Sequence, residues 1–221
     1  MTTPVLSAHV EEYLEAIHRL SRRPGGVSTM GLARQLAVKP ASVTGMLRRL
    51  AALRLITYRR YHDIAFTEQG RRLAYQLIRR HRLAERLLTD LLKVPLDQAH
   101  DHACRLEHVV SPDLEIRIAD ALGAPSSCPH GHPINLAARD RTVSLLDAPL
   151  RRHLIISRLE DESPEVVRYL AERDLLPGTR IQITMRRPAA GTVVLTAGGQ
   201  THTLGVGLAA TVRVQAPERR A

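Results

Sequence analysis

One helix face limits what this chain can become more than any other feature. His100, Cys104, Glu107 and His108 fall at the spacing of a single helical stripe. An amphipathic helix ordinarily fills that stripe with Leu and Val, at about 100° per residue. A break at Pro95 separates it from a preceding helix on which His81 and Glu85 stand one turn apart. Imidazole, thiolate and carboxylate are the side chains that hold divalent transition metals. Buried empty they are costly, whereas closed on an ion they are readily explained. His81 and Glu85 alone would read as a weak surface pair. Six donors on two successive helices, interleaved with Leu83, Leu87, Leu91, Leu106 and Val109, favour a metal centre.

Composition narrows the rest. The 221 residues are 44% hydrophobic, enough for real cores. Aromatic residues make up only 3%, so those cores rest on Leu, Ile, Val and Ala. No apolar run approaches the ~18 residues of a membrane span, and the start lacks a signal-peptide pattern. Two cysteines, Cys104 and Cys128, fit reduced thiols in a cytoplasmic protein. The net charge is +10, and residues 1–75 hold most of it, with 12 Lys or Arg against five Asp or Glu. A basic amino-terminal third points to nucleic-acid phosphates.

Periodicity divides that third into helices. Val10, Tyr13, Leu14, Ile17 and Leu20 predict one over 7–22, with Ser7 as N-cap and Pro24-Gly25-Gly26 as its end. Two short helices follow, over 29–37 and from Pro40 to about Leu53, joined by Ala37-Val38-Lys39. That arrangement predicts a helix-turn-helix. Its second helix would offer Lys39, Pro40, Ala41, Ser42 and Thr44 to a major groove, with Arg48 and Arg49 further along. Residues 55–66 read as two short strands, a wing bringing Arg59 and Arg60 near phosphate. A long helix capped by Thr67 then runs to about Leu92, a second from Asp97 to Val110, and a third from Ser111 to Leu122, closed by Gly123. Their apolar residues exceed what one helix can bury alone, which a homodimer would explain.

The remainder changes period. Leu154-Ile155-Ile156, Ile181-Gln182-Ile183, residues 193–196 and residues 211–214 are strand-like, with a helix over 164–173 and a hairpin turn at Gly198-Gly199. A small β-barrel follows from these. The Pro-rich segment 124–138 reads as a linker turn. Its Cys128, His130 and His132 form a half-site for metal with no second half nearby. Residues 205–210 match a dinucleotide glycine pattern by letter but lack its βαβ setting.

In this order the parts resemble the metal-dependent transcriptional repressors typified by the diphtheria toxin repressor and the manganese transport regulator. The resemblance covers nearly the whole chain and is strongest over 80–90 and 100–109. It implies a mainly α protein with a small β domain. Residues 1–75 would form a winged helix-turn-helix DNA-binding domain, 76–140 a helical metal-binding and dimerisation domain, and 141–221 an SH3-like (FeoA-like) barrel. It further implies a metal-activated homodimer that binds palindromic double-stranded operator DNA and represses metal-homeostasis genes. The expected cofactors are Mn²⁺ or Fe²⁺, two ions per subunit. One site would use Cys104, Glu107 and His108, completed by Glu12 and Glu15. The second would use His81, Glu85 and His100 with a carboxylate of the barrel, Glu160 first and Glu162 or Glu165 as alternatives. In the manganese branch His81 joins the first site instead. Glu12 and Glu15 follow the manganese branch, whereas Cys104 follows the iron branch.

Two rivals compete with this reading. A metalloenzyme would use the same donors, but His-Glu-x-x-His, Gly-x-Ser-x-Gly and a phosphate loop are all missing. A winged-helix regulator controlled by a small molecule would bind its operator without metal.

Overall fold

The computed structural model describes residues 7–22, 25–58, 64–137 and 140–217. The chain divides into two compact units, residues 1–80 and 81–221. In the first, α1 (Ala8–Ser21) turns Val10, Tyr13, Leu14 and Ile17 into the core. Ser7 stands at its N-cap with extended backbone but no side-chain hydrogen bond, so only half of that expectation holds. Helices α2 (Thr29–Gln35) and α3 (Pro40–Ala52) follow. Ser28 caps α2 by accepting the Gly31 N–H at 3.0 Å, and Pro40 opens α3, where a missing N–H costs nothing. Ala37 takes a left-handed φ of 52° between them, which sharpens the turn. Val43, Leu47 and Leu50 anchor α3 in the core. Strands β1 (Ile56–Thr57) and β2 (Ala65–Phe66) pair antiparallel as the base of the wing. The expected phosphate contacts Arg59 and Arg60 lie outside the described residues. Thr67 then accepts the Gly70 N–H at 3.0 Å, opening α4 (Glu68–Arg86).

The second unit begins within α4, which ends in a π-helical turn at Leu87–Leu91. Lys93, with φ 58°, and Pro95 redirect the chain into α5 (Leu96–Leu106), which tightens into a 3₁₀ turn at Glu107–Val109. Ser111 caps α6 (Pro112–Ala121). Leu92, Val109 and Ile116 stay 62%, 73% and 59% exposed, so the helical part leaves apolar surface uncovered.

An antiparallel sheet follows, built from β3 (Val143–Ser144), β4 (His153–Leu159), β5 (Arg180–Arg187), β6 (Thr192–Ala197), β7 (Gln200–Gly205) and β8 (Val212–Gln215). The order is β3-β8-β4-β5-β6-β7, leaving β3 and β7 as edges among the described residues. Gly198 and Gly199, both at positive φ, make the β6–β7 hairpin. Helix α7 (Pro164–Ala171) adds Leu170 to the core of the sheet, and its Val167 is also buried. The glycine pattern at 205–210 proves to be a short helix, α8 (Val206–Thr211), leading into β8. Sheet and helices share the second compact unit. Helix α5 packs on α7, and Arg168 donates to Asp97 at 2.7 and 3.0 Å.

Candidate metal centre

Helical spacing brings the predicted donors of the second unit together. On α4, His81 and Glu85 lie one turn apart, both buried. On α5, His100 and Cys104 repeat that spacing, with Cys104 Sγ 3.7 Å from His100 Nε2. The two helices meet there. His81 Nε2 and His100 Nδ1 are 3.2 Å apart. Glu85 Oε1 is 3.3 Å from the first and 3.4 Å from the second. Three donors bound to one ion at about 2.0–2.2 Å in tetrahedral array would stand about 3.3–3.6 Å apart, close to what is seen. Glu107 Oε2 lies 2.5 Å from His81 Nδ1. That bond fixes the ring and turns Nε2 toward Glu85, the part a second carboxylate commonly plays behind a metal-bound imidazole. His108 Nε2 is 3.7 Å from Glu107 Oε1.

The linker turn supplies what the helices lack. Cys128 N–H donates to His132 O at 2.8 Å and Gly131 N–H to Cys128 O at 2.9 Å, closing a tight loop. Arg86 Nε fixes it to α4 by donating to Ser127 O at 2.7 Å, and Arg82 donates to Pro133 O. On the other side Leu159 N–H of β4 donates to His130 O at 2.9 Å. The loop thus carries His130 Nδ1 to 3.1 Å from Glu85 Oε1. The segment between β4 and α7 contributes Glu162, which lies 3.2 Å from His100 Nδ1 and 3.2 Å from His132 Nε2. Glu160, the first choice from sequence, is instead held by Arg158 at 2.7 Å, and Glu165 is exposed at the start of α7. Glu85, Cys128, His130 and Glu162 each offer a ligand atom within 4.8 Å of the others, as do His81, His100 and Cys104. Cys128, His130 and Glu162 were therefore missing from the main sequence assignment, although the Cys-x-His-x-His spacing carried the signal.

The residues fit an ion. Glu85 Oε2 and His130 Nε2 are buried with no hydrogen-bond partner, and an unpaired buried polar atom is costly. Without an ion, protons balance the buried carboxylates. Burial opposes charge on His81, yet Glu85 and bonds to Cys104 and Glu107 hold its pKa well above the usual imidazole value. Burial likewise opposes charge on His100, but Cys104, Glu85 and Glu162 lift it to about 9. His130 is raised by Glu85 and Glu162 against its own burial. Glu85 is held well below the carboxylate range, its burial outweighed by His81, His100 and His130. Cys104 falls to about 7 despite burial, through His100 and His81. Cys128 is pushed up by burial and by Glu85 and Glu162.

Those directions predict proton release on metal uptake. His81, His100, His130 and the Cys128 thiol hold protons near neutrality and must shed them to become ligands. Calorimetry of Mn²⁺ binding in buffers of different ionisation enthalpy should show more than one proton released per ion, with affinity rising with pH. The stability of the ion-free chain should move oppositely. A raised imidazole pKa stabilises fully below the unfolded value of about 6.5, and that part is lost as pH rises through about 9 for His100. Uptake without proton release would contradict this ligand set.

Glu12 is exposed and pairs with His9 at 3.4 Å, while Glu15 is buried. Lys39 at the N-cap of α3 and Pro40, Ala41, Ser42, Arg48 and Arg49 on it are exposed, and Thr44 bonds back to Pro40 O at 3.1 Å.

Residues 5–64 match the family model for the iron dependent repressor N-terminal DNA binding domain. Residues 67–136 match that for the iron dependent repressor metal binding and dimerisation domain, and residues 143–216 the FeoA domain. These parts define a metal-dependent DNA-binding regulator, not an enzyme. The iron-dependent repressor IdeR of Mycobacterium leprae (strain TN) is 27% identical over 221 residues, 93% of this chain and 96% of that protein. IdeR of Mycobacterium tuberculosis (strain ATCC 25618 / H37Rv) is 36% identical over 124 residues, 56% of this chain and 54% of that one. A solved manganese-dependent transcriptional repressor in complex with manganese is 30% identical with a TM-score of 0.88, covering 94% of this chain and 100% of its own. The chain belongs to the family of metal-dependent transcriptional repressors that includes the diphtheria toxin repressor and the manganese-dependent repressors.

Proposed function

We propose that the chain represses metal-homeostasis genes in the cytoplasm when loaded with Mn²⁺ or Fe²⁺, binding a palindromic operator as a homodimer with two ions per subunit. The observation that carries the reading is the pair of unpartnered buried ligand atoms, Glu85 Oε2 and His130 Nε2, set among carboxylates, imidazoles and thiols. Glu85, Cys128, His130 and Glu162, with His81 and His100 beside them, hold one ion. Cys104, Glu107 and His108 serve the other, an assignment resting on family resemblance. The ion supplies divalent charge that replaces the protons now balancing the carboxylates.

The rest is done by the chain. Glu162 belongs to the segment between β4 and α7, and Cys128 and His130 to the loop on α4. Holding one ion commits sheet, loop and both helices to a single arrangement. The exposed Leu92, Val109 and Ile116 suit self-association, which sets two α3 helices about 34 Å apart for a palindrome. Carboxylates favour Mn²⁺, and the two thiols pull toward Fe²⁺.

Anaerobic DNA-binding titrations with Mn²⁺, Fe²⁺ and Zn²⁺ against an EDTA control test the reading. Metal should tighten operator binding by about 5–150-fold, the usual range for coupled sites. Equal binding after exhaustive EDTA treatment would favour a metal-independent regulator instead.

A further inference from the structure

One side of β4 changes neighbour on the way to the metal centre. Strand β5 pairs with it over residues 153–155, and near its end the loop at residues 130–132 lies there instead. On a strand, the N–H and C=O of one residue point to the same side. For the buried Leu159 that side is the loop, and its N–H donates to His130 O at 2.9 Å. Its C=O needs a donor too, because a buried carbonyl left without one is costly. A neighbouring strand would supply a backbone N–H. Here a side chain does, with His132 Nε2 2.8 Å from Leu159 O. A carbonyl only accepts, so Nε2 carries the hydrogen and donates it. The same nitrogen stands 3.2 Å from Glu162 Oε1, while Glu162 Oε2 faces His100 Nδ1 at 3.2 Å.

We infer that His132 is a positioning residue of the metal centre, a clasp that fixes Leu159 and, three residues on, aims the Glu162 carboxylate at the ion. The inference rests on Glu162 being a ligand, as proposed above. The chain between clasp and carboxylate is itself tied down. Glu160 N–H donates to Thr211 O at 2.8 Å, and Asp161 Oδ1 accepts the Ser163 N–H at 3.0 Å, a turn that aspartate favours. A tie at Leu159 is therefore felt at Glu162. Carboxylates that hold a metal are commonly hydrogen-bonded in turn, and a bond to one oxygen decides which oxygen meets the ion.

Calorimetric Mn²⁺ titration of the full chain tests it. His132→Leu should bind Mn²⁺ about 10–100-fold more weakly, and so should His132→Asn, whose amide stops near the Nδ1 position. His132→Gln carries an N–H close to the Nε2 position and should recover most of the affinity. Added to Glu162→Gln, His132→Leu should cost less than about twofold more, since a residue acting through another has nothing further to lose. With Co²⁺ as the probe, His132→Leu should keep the thiolate-to-metal absorption of Cys128, because Arg86 still holds the loop. Parent affinity in both His132→Leu and His132→Asn overturns the inference. So does full additivity with Glu162→Gln, or loss of the Cys128 absorption, either of which would mean that His132 only supports the fold. If Glu162→Gln weakens binding while the His132 variants do not, the clasp alone falls. If Glu162→Gln binds Mn²⁺ as the parent does, the ligand set proposed above falls with it.

Discussion

Glu85→Gln is expected to abolish metal-stimulated operator binding and to weaken Mn²⁺ binding at least about 100-fold, some 2.7 kcal/mol. The amide keeps the shape of the carboxylate and removes the charge on which the cluster turns. Glu85 is fully buried, and His81, His100 and His130 all lie within 3.4 Å of its Oε1. Removing one member of a buried charge pair commonly costs about 3–5 kcal/mol. Here the imidazoles can shed protons, which brings the expected loss of ion-free stability toward the lower figure near neutral pH. The folded fraction at 25 °C should therefore stay high while the metal response vanishes. Calorimetric Mn²⁺ titration beside a mobility-shift assay checks both. Normal Mn²⁺ affinity in this variant would mean that the donors around Glu85 are a proton-balanced structural cluster rather than a ligand set.

Much of this candidate centre is legible in the sequence, because its helical donors obey a local rule. His81 with Glu85, and His100 with Cys104, are neighbours by helical geometry alone, and α4 and α5 form where periodicity and Pro95 place them. What escaped depends on distant parts meeting. Cys128 and His130 reach Glu85 because Arg82 and Arg86 of α4 grip the backbone of residues 127–133, and no spacing along the chain encodes that grip. Glu160 stands apart from the cluster, and Glu162 within it, for a different reason. A register shift between Ile156 and Arg158 breaks the alternation of β4 against β8. Arg158 turns inward to 5% exposure and pairs with Asp140 and Glu160, so Glu160 is spent before the chain reaches the cluster. The edge strand β7, Gln-Thr-His-Thr-Leu-Gly, is hidden in the sequence because it buries little and so lacks the apolar alternation that marks a strand.

Gly131→Ala should be nearly as damaging to metal binding, although no ligand is touched. Gly131 adopts φ +90°, a conformation a side chain resists at about 1–2 kcal/mol. A Cβ there would also overlap the Ser157 carbonyl oxygen and stand 2.7 Å from Arg158 Cα, both backbone of β4. No rotamer relieves such a clash, so the loop must lift from the strand. Lifting breaks the Leu159 N–H to His130 O bond and carries His130 and Cys128 away from Glu85. The donors on α4 and α5 stay in place, which makes the variant diagnostic. With Co²⁺ as the probe, the thiolate-to-metal absorption contributed by Cys128 should disappear, and Mn²⁺ affinity should fall by about 10–100-fold, the scale seen when supports of a metal site are lost. Gly178→Ala is the control, since Gly178 has φ +97° but open space around its Cβ position. It carries the same backbone penalty without the collision, so it should lower stability while leaving metal binding intact. If both variants lose metal alike, the effect is general destabilisation. If Gly131→Ala binds metal as the parent does, the loop that bears Cys128 and His130 lies outside the centre.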